Sequence, residues 1–295
     1  MTIKEVSDEF VKLSPAAIRL DFLFDYLNPE DEVYVQPISG FVTSQRRMTQ
    51  DQVVSFWSNN IFPDSSPESY SAYFPFAQSR LLYVIQTIAK YLQLDSKSSL
   101  KWGDFATGEG VLLQQLRTHY PNLQLFGTEH SVELASKLSG EGFEIDQRSL
   151  GGQEIPNINK QLDISTLTWT LANAINPLSV LKDVVANTKQ GGFVCIAESS
   201  RILVPFRKSL RDYFSRTLPA DVHPSNFSAN TLRCIMQLCG LEISYINRYF
   251  DSDVLLVLGK KVEYSPKVTF FDEPNRVVTY FREWDKASRY FETLR

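Results

Sequence analysis

Cysteine is scarce. The chain holds three among 295 residues, Cys195, Cys234 and Cys239, with no CxxC pair. So sparse and odd a set excludes a disulfide framework and points to a reducing compartment. No metal site is expected. No run reaches the roughly 18 apolar residues that a spanning helix needs. The opening MTIKEVSDEF is polar and charged, unlike a signal peptide or a lipid-anchor motif. The expectation is a cytoplasmic protein that does not engage membranes. A basic excess is missing too: 30 Lys and Arg stand against 34 Asp and Glu, a net charge of −4. That argues against general nucleic-acid binding, which needs a basic face. Internal repeats and low-complexity tracts are absent. What is present is 43% hydrophobic residues, enough for a sizeable core in one large domain or two.

The organisation changes near residue 95. Before it, Ser14-Pro15 followed by AAIRLDFLFDYL predicts a short capped helix with Leu20, Leu23, Phe24 and Leu27 on one face. EVYVQPISGFV alternates like a strand interrupted by Pro37 and Gly40. Thr49 and Gln52 can form a capping box. An aromatic cluster (Tyr70, Tyr73, Phe74, Phe76) precedes AQSRLLYVIQTIAKYL, whose Leu81, Val84, Ile85, Ile88, Ala89 and Leu92 recur at helical spacing. From Leu100, strands KWGDF, LQLFGTE, FEIDQR, LDISTLTW and FVCIAES alternate with helices. That rhythm predicts an α/β fold with a doubly wound, mostly parallel, seven-stranded sheet. LEISYINRYF and DVLLVLGKK predict a C-terminal antiparallel hairpin. The expected units are a mostly helical N-terminal extension or lid over 1–95, a core over 96–262 and a helical tail over 263–295. The charged amphipathic tail can pack on the core or on a partner, including a second copy of the chain.

The most informative segment is Asp104-Phe105-Ala106-Thr107-Gly108-Glu109-Gly110. It follows a predicted strand and opens a predicted helix, the place where a doubly wound sheet binds ligands. Gly108 and Gly110 allow a sharp turn and close approach. The third glycine of a dinucleotide fingerprint is missing. Two loop acids, Asp104 and Glu109, would repel a pyrophosphate and suit a cationic ligand. Glu129 ends the next strand about 20 residues on, where a carboxylate can hold a ribose diol. The bland alternatives are an ordinary glycine turn and a solvated strand-end acid.

WGDFATGEG, FGTEHS and LDISTLTWTLANAINPLSVLKDVVANTKQGGFVCIAES, in this order, resemble a class I S-adenosylmethionine-dependent methyltransferase. The resemblance spans Leu100 to Lys261. It implies a Rossmann-like core and S-adenosylmethionine as cofactor. By position, Asp104, Ala106 and Gly108 would line the methionine end, with Gly110 allowing close helix packing. Ala106 replaces the family's usual first glycine. Glu129 would bind the ribose and His130 would lie beside the adenosine. Ser149 and Leu150 would border the adenine. Thr168, Trp169 and Thr170 would floor the site near the methyl group, although Trp169 also reads as a core aromatic.

For an acceptor that must lose a proton, His223 is the candidate base. Its surroundings, LPADVHPSNFSANTLRCIMQLCGLE, resemble sugar-nucleotide C-methyltransferases. That group's His-Glu-His triplet is reduced here to Asp221-Val222-His223, and its N-terminal zinc module is absent. Substrate contacts are expected from Tyr73, Arg80, Glu198, Arg201 and Asn226. Arg201 and Arg207 can bind an anionic group such as a sugar-nucleotide phosphate, or can simply be solvated. The sequence thus predicts methyl transfer to a small polar metabolite, a sugar or sugar nucleotide among the candidates. Two alternatives are a catalytically inactive binder with the same fold and, less well supported, an NAD(P)-dependent oxidoreductase.

Overall fold

The computed structural model describes residues 2–45, 49, 51, 52, 55, 56, 75–151, 160–198, 201–205, 208–214, 223–249, 252, 254–264 and 266–293. The chain opens with α1 (Ile3–Glu9), started by a Thr2–Glu5 capping box. It continues through β1 (Ile18–Arg19), β2 (Val33–Val35) and β3 (Val42–Ser44). Here the structure corrects the expected helix. Ile18 and Arg19 pair antiparallel with Val35 and Tyr34, and only a 3-10 turn, Asp21–Tyr26, follows. Phe24, placed by its spacing on the apolar face, is 69% exposed. Local periodicity lost to strand pairing that the sequence spacing does not reveal. Thr49 and Gln52 exchange the two capping hydrogen bonds that their spacing suggests.

The helix predicted before residue 95 is α2 (Pro75–Leu92). It buries Leu81, Val84, Ile85, Ile88 and Ala89. Each large aliphatic side chain so placed contributes roughly 1.5–3 kcal/mol relative to exposure.

The core elements follow as β4 (Lys101–Phe105), α3 (Val111–His119), β5 (Gln124–Glu129), α4 (Val132–Gly140) and β6 (Glu144–Gln147). After them come β7 (Leu162–Thr168), α5 (Pro177–Asn187) and β8 (Thr188–Glu198). A short α6 (Leu210–Tyr213), β9 (Ser225–Asn226), α7 (Ala229–Leu238), β10 (Leu241–Ile246), β11 (Leu255–Lys261) and α8 (Pro274–Thr293) complete the described chain. The seven-stranded sheet has the order β10-β11-β8-β7-β4-β5-β6. Six strands run in one direction and only β11 is reversed, pairing antiparallel with both β8 and β10. Central strands such as Val194–Ala197 are wholly buried, as expected of a sheet covered on both faces. β8 starts at Thr188, ahead of the double glycine from which the sequence reading starts it.

The chain leaves β4 toward β5 and β6, then returns past β4 to β7 and β8. The switch therefore lies between β4 and β7, and the crevice outside their carboxyl ends is the natural ligand site.

A second sheet, β1-β2-β3-β9, joins the N-terminal segment to the segment before α7. Against it packs α8, whose Val277, Phe281 and Trp284 are buried with Leu23, Val33, Val35 and Ile202. Tyr26 donates to Asp285 at 2.8 Å, and Arg289 pairs with Asp25. The C-terminal helix thus docks on the N-terminal elements.

Candidate functional site

At the switch point, the loop from β4 to α3 is held from two sides. Ala106 N–H donates to Thr128 Oγ1 and Thr107 N–H to Thr128 O, both at 2.9 Å. Asp104 is buried, its Oδ1 accepting from Thr166 Oγ1 at 2.7 Å and its Oδ2 from Thr107 Oγ1 at 2.8 Å. Burial pushes its carboxyl up to about 6, against the pull of those two hydroxyls.

Glycine is needed at two positions of this loop. Gly108 has φ 59°, and a Cβ there would meet nothing within 4 Å: the loop faces open space. Gly110 has φ 74°, and a Cβ there would lie 2.3 Å from Leu138 Cδ2. The first glycine borders open space; the second lets α3 pack against α4. Ala106 stands at φ 54°, a left-handed conformation that strains a residue with a side chain.

Glu129, at the end of β5, reaches across to this loop. Its Oε2 accepts from Gly108 N–H at 2.8 Å and its Oε1 from Ser131 N–H at 2.9 Å; His130 Nδ1 is 3.2 Å from Oε1. Loop, β5 end and α4 start are thus tied through one carboxylate. Ser149 is exposed beyond β6, while Leu150 is buried in the core with Val180 and Leu181.

At the end of β7, Thr168, Trp169 and Thr170 are half-buried. Trp169 takes φ 53°, with its N–H on Ala197 O at 2.8 Å. Its ring packs against the cluster that contains Leu81, Val84 and Ile85, and its buried Nε1 has no hydrogen-bond partner. Next door, Glu198 ends β8. Its Oε1 accepts from Leu171 N–H at 2.8 Å and Ala172 N–H at 3.3 Å. Burial pushes this carboxyl up to about 8, so it is mostly protonated at neutral pH.

The remaining candidates sit farther round. His223 is half-buried, and burial pulls its imidazole down to about 4, so it stays neutral at pH 7. It precedes β9, which pairs with β3 and packs beside the Leu171–Asn173 turn. Asn226, buried in β9, spends its Oδ1 on the Tyr213 hydroxyl at 2.9 Å. Ser228 caps α7. Arg80 is half-buried on α2, which packs on α3. Arg201 is half-buried just beyond β8. Tyr73 and Arg207 lie outside the described residues.

Sequence reasoning overlooked the threonines that hold the loop, Thr107, Thr128 and Thr166. Thr107 had a signal: a hydroxyl three residues after Asp104 can close a local side-chain hydrogen bond. Thr128 and Thr166 act from neighbouring strands and had none. Among the described residues no group of three or more His, Cys, Asp or Glu could hold a metal, and no helix is long and apolar enough to cross a membrane.

No family model matches the chain. Demethylmenaquinone methyltransferase of Paenarthrobacter aurescens (strain TC1) is 33% identical over 78 residues, 26% of this chain. The chain spans only about a third of that relative, 31% of its length. Solved structures match more widely. A chain of the complex between the Haloferax volcanii Trm112 methyltransferase activator and a methyltransferase superposes with TM-score 0.53 at 13% identity, over 73% of this chain and 100% of that one. A SAM-dependent methyltransferase from Thermotoga maritima gives 0.52 at 15%, over 71% and 98%. The [4+2]-cyclase SpnF gives 0.51 at 12%, over 74% and 98%. At such identities the likeness establishes the fold: a Rossmann-like methyltransferase sheet with its antiparallel last strands. Since one of these neighbours is a cyclase, the fold alone does not fix the reaction.

Proposed function

We propose that the chain is an S-adenosylmethionine-dependent methyltransferase acting on a small polar metabolite, with sugars and sugar nucleotides as the leading substrate class. One observation carries this reading: the Glu129 carboxylate closes the glycine loop at the switch point, beside the open space in front of Gly108. Oε2 accepts one backbone N–H and keeps a second lone pair for a ribose hydroxyl, while Oε1 accepts Ser131 N–H with His130 Nδ1 3.2 Å away, which a second hydroxyl would have to displace.

The residues present fit the cofactor. Glu129 would hold the ribose, with His130 beside it; Ser149 and Leu150 would border the adenine. Asp104 lies under the loop, where its charge would face the cationic methionine end. Ala106, Gly108, Thr168 and Thr170 would line that end, and Trp169 Nε1 offers a buried donor still in need of an acceptor. When bound, S-adenosylmethionine supplies a methyl group already activated on a sulfonium. The chain's own task is then mainly to orient the acceptor and exclude water. His223 would take the proton of an acceptor that must lose one; the burial that pulls its imidazole down to about 4 keeps it neutral and also weakens it as a base.

Calorimetry with S-adenosylmethionine and S-adenosylhomocysteine tests the reading. Wild type should bind both. Glu129→Ala should weaken binding about 100-fold or more, since a site built to pair a diol suffers when its acceptor is removed. An unchanged circular dichroism spectrum would separate this from unfolding. Equal affinity in the two proteins would remove the cofactor assignment.

A further inference from the structure

Most arginines of this chain with a stated partner are mated with acids or carbonyls. Arg19 pairs with Asp21 and Glu32, Arg211 with Glu292, and Arg289 with Asp25 and Asp285. Arg233 donates to Ala229 O and Asn230 Oδ1. Arg201 differs. Its Nε and Nη1 are fully buried and have no hydrogen-bond partner. The Tyr249 ring lies 5.8 Å from its guanidinium; Tyr249 favours the charge and the like charge of Arg233 opposes it.

A guanidinium does not shed its proton in proteins, so it cannot escape burial by becoming neutral. Two buried donors left empty on a permanent cation are costly, and an anion that reaches the guanidinium lowers that cost by accepting from it and supplying the counter-charge. The backbone holds the residue in place. Arg201 bridges Phe227, Ile202 N–H donates to Phe227 O at 3.1 Å, and Leu203 next to it is forced to φ 59°. Strain of this kind concentrates where function requires a fixed geometry. Arg201 stands three residues beyond Glu198, the last residue of β8, on the same carboxyl edge of the sheet as the glycine loop and Trp169.

We propose that Arg201 anchors an anionic group, a phosphate or a carboxylate, carried by the methyl acceptor. This rests on the methyltransferase reading and narrows its substrate to an anion. The guanidinium carbon lies over the Tyr249 ring, and Arg233 adds a field of the same sign, so the subsite selects against cations.

The test titrates the full chain, at ionic strength held constant with potassium chloride, with inorganic pyrophosphate in one arm and malonate in the other. S-adenosylhomocysteine binding is measured on the same samples. Pyrophosphate or malonate should bind wild type about 10-fold or more tightly than Arg201→Gln, with Arg201→Lys between them because it keeps the charge but loses the planar set of donors. The arm that binds names the group. Without added anion, Arg201→Gln should melt no lower than wild type, because no internal bond is lost; a markedly lower melt would mean a structural arginine and overturn the proposal. Equal weak binding of both probes to wild type and variant overturns it too, while intact S-adenosylhomocysteine binding would leave the cofactor reading standing. Failure of S-adenosylhomocysteine binding beside Arg201-dependent anion binding would instead sink the cofactor reading, and with it the claim that the anion is a methyl acceptor.

Discussion

Two buried glutamates, one in the N-terminal elements and one at the carboxyl edge of the large sheet, each accept two backbone N–H groups. Glu9 spreads them: Oε1 takes Ile38 N–H at 2.9 Å and Oε2 takes Ser39 N–H at 2.7 Å. Glu198 takes both on Oε1. The surroundings differ in the same way. Near Glu9, the wholly buried Gln36 donates to Glu9 O and Lys12 O and accepts from Ser14 N–H. Asp272 accepts from Ser228 and Asn230 and donates its own N–H to Ser39 O. Along the carboxyl edge of the large sheet, Trp169 and Arg201 carry buried donors with no hydrogen-bond partner, and Ala106, Trp169 and Leu203 sit at positive φ. One region spends its polar groups on holding itself together; the other keeps donors and strain in reserve. Satisfied buried networks specify a structure, whereas unsatisfied ones in a cleft mark where a ligand completes them.

The largest effect that could break this contrast comes from Glu9→Ala. It strands two buried N–H groups, each worth about 1–3 kcal/mol, so the variant should lose roughly 3 kcal/mol in urea denaturation. Its affinity for S-adenosylhomocysteine should stay within about 2-fold of wild type, because additivity holds between separated sites. A stability loss below about 1 kcal/mol, or a collapse of ligand binding in a folded variant, would erase the division of labour between the two regions.

Glu198→Gln sharpens the contrast through pH. Folded Glu198 titrates near 8 because burial disfavours its charge, against an ordinary value of 4.5. Between those values the folded chain keeps a proton that the unfolded chain has lost. Its contribution is therefore full below the ordinary value and falls as pH rises, gone above about 8. Glutamine keeps an oxygen for the two N–H groups but cannot titrate. From about pH 6 to about pH 7, wild type should lose about 1.4 kcal/mol of stability beyond what the variant loses. Parallel pH profiles for the two proteins would mean that Glu198 is as ordinary as a surface acid.

The contrast also explains what could be read in advance. The core was legible because its signals are local: the strand, glycine loop and helix around Asp104–Gly110, Glu129 a fixed distance on, and the apolar stripe of α2. The small sheet was legible only in part: the alternation of EVYVQPISGFV, interrupted by Pro37 and Gly40, falls on β2 and the start of β3, whereas β1 and β9 are two residues each, too short for any periodicity to show. Docking of α8 joins residues such as Tyr26 and Asp285 that are remote in sequence. At the site, residue types were visible but not their engagement. The sequence names Glu198 and Arg201; only coordinates reveal that one carboxylate uses a single oxygen and that one guanidinium has empty donors.

The smallest expected effect concerns strain rather than hydrogen bonding. Ala106 holds φ 54° where the loop turns, which costs a residue with a Cβ about 1–2 kcal/mol. Ala106→Gly removes that cost but adds back about 0.4–1 kcal/mol of unfolded-chain entropy. The net gain should be about 0.5–1 kcal/mol, seen as a rise in the thermal midpoint of a few degrees at most. In the N-terminal region the equivalent turn already carries a glycine, Gly40 at φ 67°, packed against Asp272, so nothing remains there to relieve. A fall in the midpoint of Ala106→Gly would mean that this loop is not strained, and positive φ could no longer be counted among the features separating the two regions.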